Sequence, residues 1–238
     1  MKKEHVKTYQ TQFISSTPQE ILAFFLKEFP DKITLASSLG MEDQVLTDML
    51  CKLTQSPDVF VLDTGRLHQE TYDILQLSMA KYGIAYRVFY PNTADVEAMV
   101  SQHGPNLFYD SVENRKHCCH IRKVEPLKRA LDGYKVWITG QRRDQGITRT
   151  DLQPIEWDDT HQMIKLNPLA HWTLQETESY VSSQDIPVNF LHKHGYPSIG
   201  CTPCTRAIKP GEDLRAGRWW WENADQKECG LHGKGESR

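Results

Sequence analysis

Apolar residues follow two spacings along this chain. Short, nearly continuous apolar runs at 33–36, 59–62, 86–89, 136–139 and 163–166 read as strands. Between the early runs, apolar positions spread to helical spacing over 43–53, 70–82 and 95–101, and Gly83 stands where the second of these should end. Upstream, Thr17-Pro18-Gln19-Glu20 has the form of a helix start: Thr17 as cap, Pro18 in the first turn and Glu20 closing a capping box. The apolar run 21–29 then supplies its buried face. Strands alternating with helices predict an α/β fold, a mostly parallel sheet flanked by helices. No internal repeat or low-complexity linker interrupts it. From about residue 198 the character changes to glycine, charge and the run Trp219-Trp220-Trp221. The expected division is a body over 1–197 and a C-terminal segment over 198–238 that ends in a mobile tail.

Polar residues cluster just past three of the predicted strands: Ser37-Ser38-Leu39-Gly40, Asp63-Thr64-Gly65 and Gly140-Gln141-Arg142-Arg143-Asp144. Open parallel sheets bind ligands at the carboxyl ends of their strands. A Ser/Gly turn entering a helix offers hydroxyls and backbone N–H groups to an oxyanion. Each cluster alone could be an ordinary turn. Three at equivalent positions predict a nucleotide-sized pocket, and the missing Walker lysine argues against a P-loop NTPase.

Composition narrows the class. The 238 residues are 39% hydrophobic and 25% charged, ordinary for a globular protein, with a formal net charge of -3. That balance argues against nucleic acid as the main partner. No apolar run reaches the length of a membrane span, and Met1-Lys-Lys-Glu-His lacks the apolar core of a secretion signal. A cytoplasmic location is expected. The six cysteines then point to metal or catalysis rather than to disulfides.

Those cysteines fall into groups. Cys118 and Cys119 are adjacent, Cys201 and Cys204 form C-T-P-C, and Cys51 lies in an amphipathic helical pattern as a small core residue. Four thiolates can hold zinc or an iron–sulfur cluster. Neighbouring side chains diverge, so the adjacent pair favours a cluster over a single tetrahedral ion. The plainer alternative, pairs of unlinked thiols, fits poorly with so many cysteines in one cytosolic chain. Cys229, in Glu228-Cys229-Gly230-Leu231-His232, stands apart in a Gly-rich tail. Lys227, His232 and Lys234 lie close enough in sequence to favour its thiolate, and Arg215 and Arg218 precede it. Local sequence alone leaves Cys229 as readily an idle thiol as a catalyst.

Together these residues resemble the assimilatory sulfonucleotide reductases, specifically the cluster-containing adenylyl-sulfate (APS) reductases. The resemblance runs over about 33–232 and rests on Ser37-Ser38-Leu39-Gly40-Met41-Glu42-Asp43, Leu62-Asp63-Thr64-Gly65, Cys118-Cys119-His120-Ile121-Arg122-Lys123, Gly140-Gln141-Arg142-Arg143-Asp144-Gln145, Cys201-Thr202-Pro203-Cys204 and the Cys229 motif. Leu39 and Met41 depart from what relatives often carry in the first of these. The resemblance implies an adenine nucleotide α-hydrolase-like fold, a [4Fe–4S] cluster on Cys118, Cys119, Cys201 and Cys204, and sulfite formation through an S-sulfocysteine on Cys229. The PAPS reductases resemble the chain in the tail but lack the cluster cysteines, which implies APS as substrate, with dual APS/PAPS use the alternative.

Within that reading, Ser37, Ser38 and Gly40 should meet the phosphosulfate, and Asp63 and Gly65 the adenine or ribose. Arg143, Arg149, Arg215 and Arg218 are candidate anion clamps, of which one or two are expected to be plain surface charges. His232 joins the substrate site. Lys123, five residues beyond Cys118, would link cluster and sulfate. Displacing sulfite from Cys229 needs a second thiol, and the remaining cysteines are committed or buried, so a thioredoxin-like dithiol partner is expected. The tryptophan run could cover the site, meet the partner or pack the tail. Homo-oligomerisation stays open. An ATP pyrophosphatase-type enzyme would need an S-G-G-x-D-S loop, and a redox sensor would leave Cys229 without a task.

Overall fold

The computed structural model describes residues 3–146, 149–223 and 231. Its centre is a six-stranded sheet in the order β3-β2-β1-β4-β6-β5. β1 (Ile33–Ser37), β2 (Val59–Leu62), β3 (Arg87–Phe89), β4 (Val136–Ile138) and β6 (Met163–Leu166) are parallel, and β5 (Ile155–Asp158) runs antiparallel to β6 at the edge. β1 pairs with β2 in the register Leu35↔Val59 and with β4 in the register Ile33↔Val136. Burial on both faces explains why the central strands read as near-continuous apolar runs. β5 escaped the sequence reading because Glu156 and Asp158 break its apolar character.

Helices cover both faces. α2 (Pro18–Glu28) starts with the expected capping box between Thr17 and Glu20. α3 (Met41–Leu53), α4 (Gln69–Tyr82) and α5 (Thr93–His103) follow β1, β2 and β3, and Gly83 ends α4 in the left-handed region at φ 64°. α1 (Glu4–Gln12), α6 (Val112–Cys119), α7 (Glu125–Leu131) and α8 (Leu174–Ser183) complete the set. Sequence pattern missed α1 and α8 because each buries a single residue, Val6 or Thr177. A π-helical turn, His120–Val124, joins α6 to α7. Cys51, on α3, is only half-buried rather than a core residue, and burial pushes its thiol up to about 11.

The segment after residue 198 packs back onto the body. Trp219 and Arg218 are buried, and backbone pairing of Thr205 with Arg218 folds the segment on itself. Among the described residues no helix is long and apolar enough to cross a membrane.

Candidate active site

The chain leaves β1 toward β2 and β3, then returns to place β4 on the other side of β1. The ends of β1 and β4 therefore form the crevice where α/β sheets bind ligands. The loop after β1 is held by its own side chains. Leu39 adopts φ 61°, a left-handed conformation unusual for a side-chain-bearing residue, and its N–H donates to Ser37 Oγ at 3.1 Å. Ser38 donates from both its N–H and its Oγ to Asp43, each at 2.6 Å. Gly140, at the end of β4, also donates its backbone N–H to Asp43. A Cβ on Gly140 would lie 2.3 Å from the Asp43 carboxylate, so the approach of the first turn of α3 to the end of β4 requires glycine there. Burial pushes the Asp43 carboxyl up to about 6, against the pull of the Ser38 hydrogen bonds.

Above this crevice lies a cavity of about 460 Å³, of a size suited to a nucleotide. Ala36, Phe60, Leu62, Leu127 and Trp137 give it an apolar wall. Ser37, Ser38, Gly40, Lys123, Arg149, Arg215 and Arg218 line it as well, which brings together most of the expected substrate residues. Arg218 reaches in past Gly200, where a Cβ would sit 2.4 Å from its guanidinium, and it stacks 4.6 Å from the Trp219 ring. Arg142, not singled out from sequence, also lines the cavity, buried between Glu42 at 2.9 Å and Asp144 at 3.1 Å.

Three expected residues do not line the cavity. Arg143 is turned away and donates from Nε to the Leu152 carbonyl at 2.6 Å. Asp63 spends its carboxylate on its own turn, accepting from Gly65 N–H at 2.8 Å and Tyr72 Oη at 3.0 Å. Gly65 takes φ 70°, and this turn leads to the cysteines: Thr64 Oγ1 is 3.3 Å from Cys201 Sγ, and Arg122 donates to the Thr64 carbonyl at 2.6 Å.

Cys118, Cys119, Cys201 and Cys204 line one void beside the cavity. The first two end α6; Cys201 caps the 3-10 turn Thr202–Cys204, and Cys204 ends it. Met99, Leu107, Phe108 and Trp219 form the apolar shell, while Arg66, Arg115, Arg122 and Lys123 bring positive charge to the void. Burial pushes the Cys204 thiol up to about 12 and raises that of Cys118. Such thiols become thiolates when a metal takes up the charge. Among the described residues no three His, Cys, Asp or Glu side chains converge on a single-ion site. Four thiols distributed around a void, without imidazole or carboxylate, are a donor set that fits a polynuclear cluster. Lys123 lines both the void and the cavity.

Cys229 and His232 lie outside the described residues. Leu231, two positions beyond Cys229, is described. It packs on the cluster of Phe60, Leu127, Ala130 and Trp137 and lines the cavity. Its apolar character in an otherwise polar tail was the available signal, and the sequence reading passed over it.

Fold and cavity define an α/β protein with a mostly parallel sheet and a nucleotide-sized cavity at the carboxyl ends of its strands. The family model for the phosphoadenosine phosphosulfate reductase domain matches residues 32–207, and the chain belongs to that family. Adenosine 5'-phosphosulfate reductase of Burkholderia cepacia is 52% identical over 202 residues, 85% of this chain and 81% of that protein. The protein of the same name from Allochromatium vinosum is 47% identical over 213 residues, 90% and 83% of the two chains. Among solved structures, phosphoadenylyl-sulfate reductase from Candida auris in its phosphate complex superposes with a TM-score of 0.75 at 27% identity, covering 87% of this chain and 98% of that one. Candida glabrata FMN adenylyltransferase, at 18% identity, TM-score 0.57 and coverage of 89% and 73%, shares the fold alone.

Proposed function

We propose that this protein reduces adenosine 5'-phosphosulfate to sulfite and AMP by thiol chemistry, as a cytoplasmic enzyme of sulfate assimilation. The observation that carries this reading is the sharing of Lys123 between the cavity and the four-thiol void. A site that only bound nucleotide would have no use for that void, and a metal-only sensor would have no use for the cavity.

The Cys229 thiolate attacks the sulfur of the phosphosulfate. The S–O bond to AMP breaks, AMP leaves with that electron pair, and Cys229 carries an S-sulfonate. A thiolate of a thioredoxin-like dithiol protein then attacks Cys229 Sγ, expelling sulfite and forming a mixed disulfide. The partner's second thiol resolves it, so the partner loses two electrons, sulfur(VI) becomes sulfur(IV), and Cys229 returns as a thiolate. Lys123, Arg149, Arg215 and Arg218 bind the phosphosulfate oxygens, and the loop from Ser37 to Gly40 shapes that end of the cavity. The apolar wall of Phe60, Leu62, Leu127 and Trp137 takes the base. Leu231, two positions beyond Cys229 in sequence, contributes to the same wall. Cys118, Cys119, Cys201 and Cys204 would hold a [4Fe–4S] cluster, which would supply structure and charge rather than electrons.

The test is anaerobic purification followed by sulfite assays on APS and PAPS in parallel with reduced thioredoxin. Sulfite from APS, with iron near the four atoms per chain of a cubane, is expected. No sulfite from either nucleotide, or zinc in place of iron and sulfide, contradicts it.

A further inference from the structure

His192 lies in the 3-10 turn Phe190–His194 and lines the cavity. Its ring is fixed by the backbone around it. Asn189 caps the turn, accepting from Leu191 N–H at 3.0 Å and donating to Thr71 Oγ1 at 3.2 Å. Nδ1 of His192 is 2.9 Å from the Tyr196 carbonyl oxygen. A carbonyl oxygen only accepts, so Nδ1 carries the proton and Nε2 presents a bare lone pair. That Nε2 is buried and has no hydrogen-bond partner among the described residues. Burial also holds the imidazole below the ordinary histidine range, which keeps it neutral.

A buried acceptor without a donor is costly and calls for a ligand that completes it. The cavity is shared among distinct chemistries. The apolar wall suits a base, and the serine loop with Lys123, Arg215 and Arg218 suits an anion. A bare ring nitrogen repels the anion and matches a neutral donor, which on an adenine nucleotide is the amino group of the base or a ribose hydroxyl; the apolar wall takes the base, which leaves the ribose for His192. We propose that His192 is a specificity-determining residue whose Nε2 accepts a hydrogen bond from the ribose 3'-hydroxyl of the bound nucleotide. A 3'-phosphate in that place is a dianion at pH 8 and has no proton to donate. It would face the lone pair with repulsion, so the contact selects APS over its 3'-phosphorylated analogue. Sites that hydrogen-bond a substrate hydroxyl discriminate strongly because the protein group is left unpaired with the wrong ligand. This inference rests on the reading of the cavity as the nucleotide site.

Two variants and two kinds of ligand test it at pH 8. AMP and adenosine 3',5'-bisphosphate are titrated calorimetrically against the metal-replete protein, since their binding needs no reaction at Cys229. His192→Phe removes the acceptor, and His192→Gln restores one. His192→Phe should weaken AMP binding roughly tenfold, the scale of one lost hydrogen bond, and change the bisphosphate affinity by less than about twofold. His192→Gln should keep most of the wild-type preference. The same shift should appear in kcat/KM for APS against PAPS. An equal loss for both nucleotides in a folded His192→Phe protein, or no change for either, overturns the proposal. The failure of wild-type protein to make sulfite would instead overturn the reaction and leave the nucleotide titrations to judge His192.

Discussion

Arg115 grips Glu222 with two nitrogens, Nε at 2.9 Å and an Nη at 2.6 Å, and both side chains are buried at 0% and 3% exposure. Arg115 lies on α6 beside the cysteines, and its guanidinium stacks 4.8 Å from the Trp219 ring. Glu222 lies in the C-terminal segment, three residues beyond Trp219 and seven before Cys229. The pair thus ties the Trp219–Glu222 stretch to the cysteine site.

Breaking this pair from one side should be costly. Glu222→Ala leaves a buried guanidinium without its carboxylate and should lower unfolding free energy by about 3–5 kcal/mol. Arg115→Met combined with Glu222→Leu should cost less than the sum of the single changes, because no charge is stranded. Denaturant unfolding of the four proteins measures this. Additive losses would mean that the two side chains do not act as a pair.

Asp43 gives the protein a pH signature. Its carboxyl is raised to about 6 from an ordinary 3.8, with burial as the main cause. The folded state therefore holds this proton more tightly than the unfolded chain. The resulting stability is fully present below about pH 4 and is lost as pH rises through 6, by at most about 3 kcal/mol. Urea unfolding of wild type and Asp43→Asn across pH 4 to 8 should show their difference changing between pH 4 and 6 and flat above 7. A difference independent of pH would show that Asp43 titrates alike in both states.

The arginines separate into binders and a brace. Arg215→Ala and Arg218→Ala should each weaken APS binding by about 1–3 kcal/mol, the scale of a charge-assisted hydrogen bond. Arg143→Ala should leave that affinity unchanged, because its side chain is spent on the Leu152 carbonyl. Equal losses from Arg143 and Arg218 would contradict the assignment of the cavity wall.

Much of this was legible in the sequence, for physical reasons. Strands buried on both faces announce themselves as apolar runs, and the loops past their ends carried the serines, the glycines and the arginine cluster. Spacing also separated the four cysteines of the void from Cys51. What stayed hidden depends on where side chains turn. Arg142 and Arg143 are neighbours with the same chemistry, yet only Arg142 faces the cavity. Asp63 and Gly65 read as ligand contacts, but their turn is closed on itself and faces Cys201 instead. α6 buries Arg115, Cys118 and Cys119, so hydrophobic periodicity could not mark it. Glu222 looked like one surface charge among many, because nothing local reveals a partner 107 residues away.

In the proposed reaction Cys229 takes the sulfonate. Wild-type protein mixed with APS in the absence of reductant should release one AMP and gain the mass of one SO₃ group on the peptide that bears Cys229. Reduced thioredoxin should then remove that mass and liberate sulfite. Cys229→Ser should still bind APS yet form neither adduct nor sulfite, since a serine hydroxyl is a far weaker nucleophile near neutral pH and its product could not be resolved by thiol exchange. An adduct on any other residue, or turnover retained by Cys229→Ser, would contradict the mechanism.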